Sequence, residues 1–250
     1  MSWERHGPAW HVPMRIIARM SEPIAYLGDL LHVDAPISYG AFHDLDYATR
    51  RTIPDVQCTD WPIDLTLPLS TWWVAAADST HDPRLEKRWR RGSDGPPAML
   101  WGWCASAADE SAWEGRGAVE VRKKPALGEM SRYTPDKTTH LGSGPMKAYD
   151  LAVPTVLARE VTWYAHGDPD KVRHLLATHV PAIGKKRNIG NGTVREWVVE
   201  SCDVDRSVVD ETGRLMRRLP TGAVDGAQGM GAIRPPYYHP TRMVASVEPC

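Results

Sequence analysis

Phenylalanine occurs once in the 250 residues, and cysteine four times, with no two cysteines close together. The scatter of Cys58, Cys104, Cys202 and Cys250 excludes a CxxC zinc or redox unit and a disulfide-stapled scaffold; it fits a reducing cytoplasm. No run of 18 apolar residues occurs, and the densest patch, Trp72 to Ala77, is too short to cross a bilayer, so no membrane partner is expected. The N-terminus lacks the apolar stretch of a signal peptide. There is no excess of either charge: 30 Lys and Arg face 31 Asp and Glu, for a net charge of −1. That balance excludes a uniformly basic nucleic-acid binder, though not one with segregated charge. No internal repeat of fixed period is visible.

Several chemistries are missing as well. Gly184-Lys185 lacks both the upstream glycine of a P-loop and the Ser/Thr that would hold Mg²⁺. Gly226-Ala227-Gln228-Gly229-Met230-Gly231 is a dinucleotide fingerprint in reverse order, with no strand before it. Asp203 to Ser207 begins like a calcium loop, but Val208 stands where glycine is needed and Arg214 where the bidentate acid belongs. Ser143, in Gly142-Ser143-Gly144-Pro145, is not a nucleophile elbow. His174 and His179 are five apart, whereas two zinc ligands on one helical face are four apart, and no HExxH occurs. No metal and no cofactor are expected.

What is present begins with eleven tryptophans, which offer core volume, interface area or base-stacking faces. Cations bunch at Arg84 to Arg91, Arg122 to Lys124, Lys185 to Arg187 and Arg214 to Arg218, while acids gather around Asp44 to Asp64, Asp109 to Glu114 and Glu196 to Glu211. The most informative stretch runs from Ile183 to Val194. It sets Lys185, Lys186 and Arg187 among Gly184, Gly190 and Gly192, with Asn188 and Asn191 between them. Two readings stand: a solvated helix-to-strand turn that happens to be basic, or a cradle whose amides and cations hold phosphate oxygens. A second mixed run, with Arg88, Trp89, Arg90 and Arg91, suits single-stranded nucleic acid, because cations track phosphates and Trp stacks on bases. It equally suits a solvated helix with Leu85 and Trp89 turned inward. Lys147 would extend such a track.

Periodicity predicts a strand over Met14 to Met20 with Met14, Ile16, Ala18 and Met20 on one face. A helix is expected over 34–51, capped by Asp34 with Pro36 in its first turn. Leu69 to Ala77 and Met99 to Ser106 read as a strand pair. Glu160 to Ala165 reads as a strand, followed by a helix capped by Asp168, with Pro169 in the first turn and Pro181 as its stop. Val172, Leu175, Leu176 and His179 make that helix's apolar stripe. Thr193 to Glu200 alternates as a last strand, and the final fifty residues read as an ordered tail. The order suits an α+β, ferredoxin-like split βαβ sheet with helices on one face. One domain spans 1–250: a core over about 13–108 and 151–200, an inserted arm over about 109–150 and a tail over 201–250.

These features together resemble the CRISPR RAMP superfamily, and within it the type IV member of the Cas-five group. The basic glycine-rich loop sits between the last helix and the last strand. Leu31 to Tyr39, Gly144 to Tyr149, Trp163 to Asp168, Arg217-Arg218-Leu219-Pro220 and Arg234-Pro235-Pro236-Tyr237-Tyr238 follow in the order that group shows. The resemblance implies a RAMP/RRM-like, ferredoxin-like fold with a protruding thumb or arm. It also implies a non-catalytic, cytoplasmic subunit of a guide-RNA effector complex. Such a subunit would hold the crRNA 5′ handle and cap a Cas-seven-type backbone, with contacts to a large subunit and to target DNA left open. The near-neutral charge departs from a long independent RNA track and implies that RNA is held jointly with neighbours. Two other functions remain: a RAMP-type metal-independent endoribonuclease using His32, His140 or His166 as base, and a scaffold that binds only protein.

Overall fold

A computed structural model describes residues 3–26, 30–53, 64–75, 99–123, 148–226, 228–239 and 242–249. Among the described residues, four three-stranded antiparallel sheets and three α-helices make an α+β arrangement rich in sheet. The strands are β1 (Glu4–His6), β2 (Val12–Met20), β3 (Ile24–Ala25), β4 (Thr71–Ala75), β5 (Met99–Trp103), β6 (Gly115–Lys123) and β7 (Tyr149–Leu157). They continue with β8 (Glu160–Gly167), β9 (Val194–Ser201), β10 (Leu219–Pro220), β11 (Gln228–Ala232) and β12 (Met243–Val247). The helices are α1 (Asp34–Asp44), α2 (Tyr47–Thr52) and α3 (Pro169–His179).

The central sheet has the order β8-β2-β9. Alternation in β2 puts Met14, Ile16 and Ala18 on the face that is fully buried, as expected. Ile16 stands opposite Trp163 on one side and Val199 on the other. Helix α3 covers this face with Val172, Leu175 and Leu176, and α1 adds Ile37. Beyond β8 the chain from Ala105 to Asp109 follows the free edge by bridges to Ala165 and Thr162 rather than as a regular strand.

Asp168 accepts from the amides of Asp170 and Lys171 with Pro169 next in line, so the expected start of α3 is correct. The helix ends at His179, before Pro181. The single helix expected over 34–51 is two helices. The chain leaves helical geometry at Leu45, and Asp46 caps α2 by accepting from the Thr49 amide. Asp34 does not cap α1, whose N-cap position is Val33 with no side-chain bond. Its carboxylate is fully buried and turned to the C-terminal segment instead.

The insertion expected over 109–150 begins and ends as a hairpin. Strands β6 and β7 pair along their whole length from Gly115↔Leu157 to Lys123↔Tyr149, and β3 joins the far edge of β7. The final fifty residues are not a tail. They build the β10-β12-β11 sheet, which packs Leu219, Ile233 and Val244 against Trp72, Val74 and Leu100 of the β1-β4-β5 sheet in a second hydrophobic core. No described helix is long and apolar enough to cross a membrane.

Candidate nucleic-acid interface

The segment between α3 and β9 crosses over β3 before turning into the central sheet. The Lys185 amide donates to the Ala25 carbonyl and the Gly192 amide to Pro23, both at 2.8 Å. The Ile183 amide closes the base of the loop on Gly192, also at 2.8 Å. Gly192 has φ +70°, and a Cβ there would fall 1.9 Å from the Ile183 carbonyl oxygen, so only glycine permits this closure. Above the base, Lys186 adopts left-handed φ 57° and starts a single 3₁₀ turn, Arg187–Ile189.

This geometry sorts the eight loop residues picked out in the sequence. Asn191 is buried and its side-chain amide donates to the Lys186 carbonyl, so it shapes the loop from within. The amides of Gly190 and Gly192 are bonded inside the fold, to Arg187 and Pro23. Gly184 lies against Ile24 and Ala25. Lys185, Arg187 and Asn188 are exposed and Lys186 half-exposed. Among the described residues, the amides of Lys186, Arg187 and Asn188 find no protein acceptor. Successive unbonded N–H groups at the start of a turn form a concavity suited to anions.

Two rings that sequence spacing did not connect to the loop flank it. The Arg187 guanidinium carbon lies 4.9 Å from the centre of the Tyr39 ring on α1, and the Lys186 Nζ lies 5.5 Å from that of Tyr149 on β7. Cations at these distances gain from the ring quadrupole. Tyr149 is the cross-strand partner of Lys123, and Arg122 pairs with Asp150 at 2.8 Å. The Lys123–Tyr149 end of the inserted hairpin therefore adjoins the basic loop. A groove of about 750 Å³ runs between Tyr39 and Pro181 to Asn188. Beside it, His43 lies with its ring centre 4.2 Å from that of Tyr39, and burial first, then Arg50, His179 and Arg187, hold its imidazole below its ordinary pKa.

The other candidates lie elsewhere. Lys147, Arg88, Trp89, Arg90, Arg91 and His140 fall outside the described residues. His32 is 2% exposed and stacks on Tyr237 with ring centres 4.7 Å apart; burial, then Arg217 and Arg218, hold it well below the usual histidine range. His166 is buried too. Its Nδ1 lies 2.9 Å from the Ser70 hydroxyl, which lies 2.9 Å from Nδ1 of His11.

The arginines of the C-terminal signature point inward. Arg217 is fully buried, donates to the carbonyls of Ala105 at 2.9 Å and Ile233 at 2.6 Å, and pairs with Asp34 at 3.6 Å. Tyr237 donates to the same carboxylate at 2.7 Å. Arg234 lies over Trp101 with 4.2 Å from guanidinium carbon to ring centre, and pairs with Asp64. These residues join the two cores and are not presented to a polyanion.

A family model described as CRISPR type IV associated protein Csf3 matches residues 99–249, more than half of the chain. No curated protein is detectably similar to it. The matched span contains the inserted hairpin, the basic loop and the buried arginines of the C-terminal sheet. The chain belongs to the family of CRISPR type IV associated protein Csf3.

Proposed function

We propose that this chain is a non-catalytic subunit of a type IV RNA-guided complex, binding the 5′ handle of the crRNA and capping a filament of Cas-seven-type backbone subunits. One observation carries the reading: an exposed cationic turn with three unbonded amides, held between two tyrosine rings. Amides and cations suit the phosphates of a bent single strand, and Tyr39 and Tyr149 offer faces for unstacked bases. Exposed Asn188 in this reading hydrogen-bonds a base edge or a 2′-hydroxyl. In this reading β2, β8 and β9 with α1 and α3 correspond to three strands and the two helices of a ferredoxin-like RAMP domain. The chain from Ala105 to Asp109 takes the fourth strand position, and the β6–β7 hairpin is the base of the arm. The burial of His32 and His166, 2% and 8% exposed, supports the non-catalytic form at these two positions, where little of either ring is open to a 2′-hydroxyl; His140 lies outside the described residues.

The test is binding of the cognate crRNA, labelled at its 3′ end, over a series of salt concentrations. Each phosphate contact contributes roughly 0.7 to the logarithmic salt slope of a single strand. Replacing Lys185, Lys186 and Arg187 together by Ala is expected to weaken binding and flatten the slope by up to about 2. Unchanged affinity and slope in a folded triple variant would refute handle binding by the loop.

A further inference from the structure

Asp44 ends α1, and His174 and His179 lie on the last two turns of α3. A Cβ on Gly40 would sit 2.9 Å from the Leu175 carbonyl oxygen, so the absence of a side chain there lets the two helices pack closely and sets Asp44 between the imidazoles. Asp44 Oδ1 is 3.1 Å from Nε2 of His174 and 3.0 Å from Nε2 of His179. All three ligand atoms lie within 4.8 Å of one another.

We propose that Asp44, His174 and His179 form a binding site for a divalent transition ion of the zinc class, tying the end of α1 to the last turns of α3. Tetrahedral zinc with bonds of about 2.0–2.1 Å holds its ligand atoms roughly 3.3 Å apart, so the two carboxylate–imidazole edges are already near the required length. Two imidazoles and one carboxylate suit a borderline ion and leave a fourth position for water. The Nδ1 of His174 lies 3.5 Å from the Thr178 hydroxyl, a partner for the ring nitrogen that faces away from the ion. The side chains are 59%, 46% and 21% exposed for His174, Asp44 and His179, so an ion enters without unfolding. The spacing of five leaves the two histidines on diverging faces of α3, and the site exists because α1 brings the carboxylate to the point where both rings reach. Tyr39, which faces Arg187, is on α1 as well, and the loop begins just after His179. The ion would hold the end of α1 to the last turns of α3, a few residues before the loop, and its binding does not depend on RNA.

The experiment uses the full chain without a polyhistidine tag, stripped with chelator and titrated with Zn²⁺ by calorimetry, with Co²⁺ as a spectroscopic probe. One equivalent of Zn²⁺, a higher melting temperature on binding, and a Co²⁺ spectrum of low-coordinate nitrogen and oxygen ligation are expected. Affinity should fall at least about tenfold in His174→Ala, His179→Ala and Asp44→Asn, as loss of a ligand costs no less than loss of its outer-shell support. Asp44→Asn keeps the shape of the helix contact, so it separates ligand loss from misfolding. Absence of Zn²⁺ uptake by the wild-type chain, or equal uptake by a folded Asp44→Asn variant, would overturn the site while leaving the RNA reading intact.

Discussion

At the scale of single residues the most consequential group is Arg217. It is fully buried, lies over the Trp72 ring and donates to carbonyls from the end of β5, from Ala105 and from Ile233. Its partner Asp34 also accepts from Tyr237. Removing one member of such a pair leaves a buried charge uncompensated, so Arg217→Ala is expected to destabilise the fold by about 3–5 kcal/mol in urea denaturation. Burial outweighs Arg217 at Asp34 and pushes its carboxyl up to about 6, from an ordinary value of 3.8. Between roughly pH 4 and pH 6 the native state then holds a proton that the unfolded chain has released, so this group makes stability fall as pH rises through that window. Subtracting the stability of Asp34→Asn from that of the wild type should leave a difference that declines from pH 4 to 6 and flattens above. A flat difference throughout would mean that the carboxyl is not shifted. Sequence reading placed Asp34 at a helix start, which is correct, but gave it the wrong partner. The Asx cap is a local pattern, and Arg217 and Tyr237 are close only in the folded chain.

Among the elements, the loop between α3 and β9 is set by its glycines unequally. Gly192 closes the base against Ile183, whereas a Cβ on Gly190 would meet nothing within 4 Å. Both have positive φ, at +70° and +93°. Gly190→Ala should therefore cost only the left-handed penalty of about 1–2 kcal/mol. Gly192→Ala adds a backbone clash and should cost several-fold more in thermal or chemical melts. Equal losses would mean that the loop base is not closed as described. The elements that were legible in the sequence have strong local signals: alternation in β2 and β8, and the Asp168-Pro169 start and apolar stripe of α3. The strands of the C-terminal sheet were not. β10 has two residues, and Gln228 to Ala232 holds two glycines and no alternation of burial strong enough to read. Their order comes from pairing with β12 and from packing on Trp72, at separations that no local pattern records.

For the whole molecule, near-neutral charge and a basic site are compatible because the charge is arranged, not abundant. Arg217, Arg218, Arg234 and Arg242 are largely withdrawn into the structure, and exposed Arg19 is shared between Glu160 and Glu196. Lys185 and Arg187 face solvent beside Tyr39, and Lys186 faces Tyr149. The sequence announced the cations of this site because they are contiguous. It did not announce the rings, because Tyr39 comes from α1 and Tyr149 from the inserted hairpin, more than a hundred residues apart. The most direct test is photo-crosslinking of the assembled complex with 4-thiouridine placed through the crRNA 5′ handle, followed by identification of the linked peptides. Handle binding by the loop predicts adducts within residues 182–194 and at Tyr39 or Tyr149. A handle that crosslinks to the complex with no adduct in this loop would contradict it.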